Sequence, residues 1–232
     1  MIRLLADEQL LLPDSMLHED VELKTFNPLK GWTPEEILTA DALFVRTVTP
    51  VTADTLPKKS AVRFIATASA GKDHVDEKML QERSITFCDA GGSNAVSVAE
   101  YVAVALLDFI TQTDTAPSEV SVGIAGAGHT GSAANRLLRK LGFSTVLYDP
   151  PKEERGEHIL VESGTSVPFS SSSLHEFLET DVVSLHVPLT DSGAYPTRGF
   201  LDGKKLQHTP KKLVVNASRG GVADEQALLE AC

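Results

Sequence analysis

Apolar residues in this chain fall into short, β-branched runs, separated by stretches in which they recur at helical spacing. The two kinds alternate from one end to the other, which predicts an α/β fold built on parallel sheets. In the first part, strands are predicted at Ile2–Asp7, Val21–Phe26, 42–47, 63–69 and 85–89. A helix is predicted over 33–40, because Thr33-Pro34-Glu35-Glu36 supplies a capping threonine, a first-turn proline and a glutamate three residues on. The strands are nearly continuous apolar runs, so both faces of each sheet are expected to be covered.

A longer helix is predicted from Asn94 to about Thr111, with Val96, Ala99, Val102, Leu106 and Ile110 near helical spacing. The polar stretch 111–118, which contains Pro117, reads as a linker. The pattern then restarts, with strand Ser121–Ala125, a helix to about Lys140, strand Ser144–Tyr148 and strands at 182–186 and 212–216. The serine run before Leu174 reads as a helix entrance, since Ser173-Leu174-His175-Glu176 has the form of a capping box. A further helix begins at Asp224-Glu225, where Glu225 reads as first-turn charge. The domain boundary falls near residues 91–94, giving residues 1–92 and 93–232 as two domains.

Composition narrows the function class. Of 232 residues, 42% are hydrophobic and 23% charged, as in an ordinary globular chain rather than a disordered or collagenous one. Lys and Arg total 21 against 32 Asp and Glu, a formal net charge of −11, so nucleic acid is not the expected partner. A few local cations and backbone amides can still bind a single phosphate. Two cysteines, Cys88 and Cys232, make neither a disulfide framework nor a four-ligand zinc site, and no metal is expected. The N-terminal residues turn acidic at Asp7-Glu8, before a signal-peptide core, and the apolar run 101–107 is far short of the roughly 18 residues of a membrane span. A soluble cytoplasmic protein without membrane partners is the expectation.

Gly126-Ala127-Gly128-His129-Thr130-Gly131 directly follows a predicted strand and opens a predicted helix, the context a dinucleotide-binding turn requires. Gly126 permits the tight turn, Gly128 lets backbone approach a pyrophosphate, and Gly131 lets helix and strand pack closely. The helix N-terminus at His129 and Thr130 offers N–H groups to an anion. Asp149 ends the next strand, about 20 residues further on, where a carboxylate binds adenosine ribose hydroxyls. That carboxylate favours NAD over NADP, although Lys152 and Arg155 lie close in sequence. Alone, an Asp before Pro150-Pro151 would be read as a turn residue. Two further strands run into His186-Val187-Pro188-Leu189-Thr190 and Asn216-Ala217-Ser218-Arg219-Gly220-Gly221. Ligands bind beyond the carboxyl ends of such strands, so Val187, Ala217 and Ser218 are expected at the cofactor. Arg219 is the candidate catalytic residue, since a guanidinium can grip a carboxylate and polarise an adjacent carbonyl.

In their order and approximate spacing these motifs resemble those of the D-isomer-specific 2-hydroxyacid dehydrogenases. Leu5-Ala6-Asp7-Glu8, Val45-Arg46-Thr47-Val48-Thr49, Thr67-Ala68-Ser69-Ala70-Gly71-Lys72-Asp73-His74-Val75-Asp76, Gly92-Ser93-Asn94-Ala95, Ala99-Glu100-Tyr101-Val102 and Asp149-Pro150-Pro151 extend the resemblance over essentially the whole chain. They narrow it to members acting on a small phosphorylated hydroxy acid. The resemblance implies a flavodoxin-like substrate domain over 1–92 and an incomplete Rossmann NAD-binding domain over 93–232. It implies NAD-dependent oxidation of 4-phospho-D-erythronate to the 2-oxo acid, in pyridoxal-phosphate biosynthesis. Thr47 and Ser69 match substrate contacts, Arg219 matches the residue anchoring the substrate carboxylate, and Val187 stands where only backbone contact carries over. The full-length family is commonly homodimeric. Dehydrogenation of 3-phosphoglycerate or another hydroxy acid is the nearest alternative, and a non-catalytic NAD-binding remnant is the alternative of another class.

One departure bears on the chemistry. In the family a His–Glu pair that takes the hydroxyl proton follows the arginine turn, and this sequence runs only to Cys232. The expectation is therefore a C-terminally truncated dehydrogenase, lacking the closing strand and dimerisation region, that binds cofactor weakly and turns over slowly or not at all. An acid–base group typically contributes about 10²–10⁴-fold. His129 and His186 already belong to the turns above. His18, His74, His158, His175 and His208 read as surface or packing residues without an assignable partner.

Overall fold

The first apolar runs become five parallel strands in the unit Met1–Ser93. The computed structural model describes residues 1–160, 164–208 and 212–231. This unit comprises β1 (Ile2–Asp7), β2 (Val21–Phe26), α1 (Pro34–Thr39), β3 (Ala42–Val45), β4 (Phe64–Thr67), α2 (Glu77–Glu82) and β5 (Thr86–Cys88), with sheet order β2-β1-β3-β4-β5. α1 begins in a capping box: the Glu36 amide donates to Thr33 Oγ1 at 3.3 Å and the Thr33 amide to Glu36 Oε2 at 2.6 Å. Asp76 caps α2 by accepting from the Met79 amide at 2.9 Å. Ile37, Met79 and Leu80 from these helices join Leu5, Leu43, Val45 and Ile65 in one core cluster.

Both helices therefore serve the same face of the sheet, and the other face departs from the expectation of full coverage. It carries a groove of about 340 Å³ lined by Ile2, Leu4, Leu12, Phe44 and Phe64, with Ile2 52% exposed.

The second unit, Asn94–Cys232, opens with α3 (Ala95–Thr113) and β6 (Ser121–Ala125). α4 (His129–Lys140), β7 (Ser144–Tyr148), α5 (Pro150–Glu154), β8 (His158–Leu160), β9 (Ser166–Pro168) and α6 (Leu174–Leu178) follow. β10 (Val182–Leu185), α7 (Gly203–His208), β11 (Leu213–Asn216) and α8 (Glu225–Ala231) complete it. Its main sheet is parallel, ordered β11-β10-β6-β7, and β8 and β9 form a separate antiparallel hairpin. α3 is long and apolar enough to cross a membrane by length and composition, yet Ala99, Val102, Ala103, Leu106 and Ile110 are buried in the protein. It also runs beyond the predicted end. The Thr111 and Thr113 hydroxyls donate to the carbonyls of Leu107 and Phe109 at 2.7 and 2.9 Å, so the expected linker starts as helix and ends in a 3₁₀ turn, Pro117–Glu119.

Asp181 clamps the starts of three strands. Its carboxylate accepts from the Ser121 amide (2.9 Å) and hydroxyl (2.7 Å) and pairs with Lys212 at 2.8 Å. Burial works against its charge, but the hydrogen bonds from Lys212 and Ser121 outweigh it and hold the carboxyl at about 2. In each sheet the strand order reverses once, between β1 and β3 and between β6 and β10. Such reversals open a crevice beyond the strands' carboxyl ends.

Candidate functional site

The β6–β10 crevice is shaped by the glycine loop. Gly126 has φ +90°, and a Cβ there would stand 2.6 Å from the His186 carbonyl oxygen; one on Gly131 would stand 1.9 Å from the Gly126 carbonyl oxygen. No side chain fits at either point, so backbone from loop, helix and neighbouring turn meets directly. A Cβ on Gly128 would meet nothing within 4 Å, which leaves the N-terminus of α4 open at His129 and Thr130. The first N–H groups of a helix have no partner within it, so this end is suited to an anion.

A cleft of about 680 Å³ lies against this loop, and its wall includes Gly126, Gly128, Asp149 and Val187. Asp149 does more than end β7. Its Oδ2 accepts from the Ala127 amide at 2.8 Å and its Oδ1 from the Lys152 amide at 3.0 Å, tying the glycine loop to the first turn of α5. A carboxylate has about four acceptor sites, so it retains capacity for ribose hydroxyls. The facing loop 191–196 is closed at its base, where the Thr190 amide donates to Thr197 Oγ1 at 2.8 Å. Its Tyr195 hydroxyl donates to Glu154. Tyr148, Phe177 and Phe200 form an aromatic cluster with ring centroids 5.5–5.8 Å apart, in which Tyr148 stacks on Phe200.

His186 is buried in the cleft wall, with Nε2 and the Ser184 hydroxyl sharing a hydrogen bond at 2.8 Å and Nδ1 unpartnered. Burial pushes its pKa down to about 4, so the ring is neutral at pH 7 and is a weak base.

Among the described residues, the remaining second-unit candidates, His129, Thr130, Gly131, Ala217, Ser218 and Arg219, do not line this cleft, although the first three directly follow Gly128 in the first turn of α4. The last three form the turn after β11, which Asn216 organises: its Oδ1 accepts from the Ser218 amide and hydroxyl (3.1 and 2.6 Å), and its Nδ2 donates to the Arg219 carbonyl at 3.0 Å. Arg219 is exposed, with Nη1 donating to the Ser218 carbonyl at 3.3 Å.

In the first unit, Thr47 is exposed on the turn after β3. The Ser69 hydroxyl shares a 2.7 Å hydrogen bond with Thr67 Oγ1, which in turn lies 3.0 Å from His74 Nε2. Sequence reasoning missed His74 as a partner, and likewise the contacts of His18 with Asp20 (3.6 Å) and His175 with Glu179 (3.2 Å). The side chain of His208 and Cys232 lie outside the described residues. It also missed the buried Asp7, which pairs with Arg46 at 2.9 Å across the β1–β3 reversal. Opposite charges at the ends of two adjacent parallel strands were the available signal.

Residues 109–232 match the family model of the D-isomer specific 2-hydroxyacid dehydrogenase NAD-binding domain. The chain belongs to the D-isomer-specific 2-hydroxyacid dehydrogenase family. Two similar curated proteins, both named erythronate-4-phosphate dehydrogenase, come from Marinobacter nauticus and Tolumonas auensis. The first is 40% identical over 228 residues, covering 97% of this chain and 57% of that protein. The second is 37% identical over 229 residues, covering 98% and 58%. The chain thus spans somewhat more than half the length of these relatives. Among solved structures, a protein from Thermus thermophilus aligns with TM-score 0.77 at 22% identity, covering 99% of this chain and 78% of the other. The D-lactate dehydrogenase of Aquifex aeolicus, complexed with NAD and lactic acid, aligns with TM-score 0.71 at 20% identity, covering 99% and 72%. The 2-hydroxyacid dehydrogenase fold is shared at these low identities. The residues present fit the family's NAD: an open helix N-terminus at Gly128, loop glycines whose Cβ positions are filled by backbone, and a carboxylate closing β7.

Proposed function

We propose that this chain carries the substrate-binding and NAD-binding domains, residues 1–92 and 93–232, of a cytoplasmic dehydrogenase. The enzyme would oxidise 4-phospho-D-erythronate to its 2-oxo acid in pyridoxal-phosphate biosynthesis. The observation that carries this reading is the 40% identity to the Marinobacter nauticus erythronate-4-phosphate dehydrogenase, sustained over 97% of the chain. Bound NAD supplies the hydride acceptor. The open N-terminus of α4 holds the pyrophosphate, and the free acceptor sites of Asp149 take the ribose hydroxyls. Val187, Ala217 and Ser218 offer backbone to the cofactor. Arg219 grips the substrate carboxylate bidentately and polarises the C2 oxygen. Thr47 and Ser69 donate hydroxyl hydrogen bonds to the substrate.

The test is NADH formation with 4-phospho-D-erythronate, set beside 3-phospho-D-glycerate, and calorimetric binding of both acids in the presence of NAD. Arg219→Gln should lower kcat/KM at least about 100-fold, the range expected of a charge-assisted contact to the reacting group, while NAD affinity stays unchanged. Preference for the glycerate, or binding of neither acid, would overturn the substrate assignment. A second reading, an NAD-binding protein without turnover, is favoured by one observation: the histidine in the cleft wall is buried with a pKa near 4. NAD binding with no NADH formation would support it. We also propose a homodimer, on the strength of the exposed Val96, Tyr101 and Val104 along α3; sedimentation velocity of the same preparation tests this.

A further inference from the structure

A cofactor with an additional 2′-phosphate would bring its charge to the Asp149 end of the cleft, where an arginine can accommodate it. Arg155 lines that end together with Asp149, yet its guanidinium is already engaged: Nε donates to Glu157 Oε1. The other carboxylate oxygen of Glu157 accepts from Lys152 Nζ at 3.0 Å. One carboxylate thus holds both Lys152 of α5 and Arg155, the residue that follows it. Lys152 is fixed further, its ammonium 6.0 Å from the Phe169 ring centroid and its side chain 11% exposed. Lys205, the other Lys or Arg in the cleft wall among the described residues, pairs with Asp202 at 2.9 Å.

The backbone explains why Glu157 stands where it does. Gly156, at φ +63°, ends α5 in a left-handed turn in which its amide donates to the Glu153 carbonyl at 2.8 Å and the Glu157 amide to the Lys152 carbonyl at 3.2 Å. This paired arrangement is the Schellman ending. It turns the chain back so that the residue after the glycine lies over Lys152 and Arg155. The Phe169 amide then donates to the Glu157 carbonyl at 2.9 Å, fixing the position from the other side. The carboxyl of Glu157 is held below the usual carboxylate range by Arg155 and then Lys152, as a shared counter-ion should be.

We propose that Glu157 is a specificity-determining residue, which enforces NAD over NADP by keeping Arg155 from pairing with a 2′-phosphate. The inference rests on the NAD-binding reading of the cleft and adds to the repulsion from Asp149. In the native protein Glu157 competes with a phosphate for the Arg155 guanidinium, so the contribution of Arg155 to NADP is reduced. Removing the Glu157 charge releases a guanidinium that already lines the right end of the cleft.

The experiment is a cycle of four proteins: the native chain, Glu157→Gln, Arg155→Gln and the double variant. Dissociation constants for NAD and NADP are measured by calorimetry at low and at moderate salt. Expected is about three- to tenfold tighter NADP binding in E157Q, with NAD changed less than twofold, as fits an exposed charge pair screened by salt. R155Q alone should leave NADP binding within twofold of native, and the double variant should lose the gain. Unchanged NADP binding in E157Q, an equal gain for NAD, or a gain that persists in the double variant would overturn the proposal. A native chain that binds NAD while E157Q gains nothing defeats this inference alone, whereas a native chain that binds neither dinucleotide defeats the cofactor reading as well. Unfolding midpoints check that each variant folds, and Glu157→Ser replaces E157Q if it does not.

Discussion

At the β1–β3 reversal of the first unit, opposite charges meet: the Asp7 side chain, fully buried, pairs with Arg46, which also donates to Gln9. At the β6–β10 reversal of the second unit, the space is walled by glycine backbone, a neutral imidazole and Asp149, and it stays open over about 680 Å³. Strand order is the same kind of device in both, so topology alone supplies a crevice and no more. The side chains at the strand ends decide whether it is filled from within or left for a ligand.

The sharpest way to break the contrast is to fill the second crevice from within. Gly131→Val sets a side chain against the Gly126 carbonyl oxygen, backbone that cannot swing aside. The expected cost exceeds about 3 kcal/mol in denaturant unfolding, with loss of NAD binding. A variant of native stability would show that helix and loop separate freely. Next comes opening the first crevice. Arg46→Met leaves the Asp7 carboxylate buried with the Gln9 amide, at 2.9 Å, as its remaining donor, and should cost about 3 kcal/mol while NAD affinity holds. A loss below about 1 kcal/mol, the scale of an exposed pair, would mean that the pair is structurally idle.

The third test uses pH. The pKa of His186 in the folded protein, about 4, lies below its ordinary value of 6.5, so folding favours the neutral ring. The stability tied to it is complete above pH 6.5 and is lost as pH falls from 6.5 towards 4. By linkage the native protein should lose about 2 kcal/mol between pH 7 and pH 5, and His186→Asn should flatten that slope. Asp181 acts in a lower window, from its ordinary 3.8 down to about 2, so it does not confuse the reading. Equal slopes in both proteins would remove His186 as the cause.

What was legible in the sequence follows from how many residues carry each signal. β1, β2, β6 and β7 stand where the sequence puts them: β1 and β6 are buried over most of their length and so are mostly apolar, whereas the edge strand β2 alternates apolar and polar positions. α2, α5 and α7 were missed: with five or six residues each, they hold fewer than two turns of periodicity and rest on their caps and packing. Pro150-Pro151 reads as a turn, yet the two prolines occupy the first turn of α5, where a helix amide has no partner to lose. The open face of the first sheet was illegible because apolar content gives no account of which face a helix takes. At the site, the glycines and Asp149 were readable as residue types at fixed spacing. The second tasks of Asp149 and Asn216, each gathering backbone amides into a turn, depend on geometry that spacing does not encode.

The Asp181 clamp also bears on how the chain can vary in length. It joins Ser121 to a residue 60 positions later, so everything between is one large closed loop whose ends are already fixed. Doubling such a loop adds only about 0.6 kcal/mol of closure entropy. The β8–β9 hairpin lies inside that loop and outside the main sheet. Lengthening that hairpin should therefore cost little stability while the strand ends that frame the crevice stay in register.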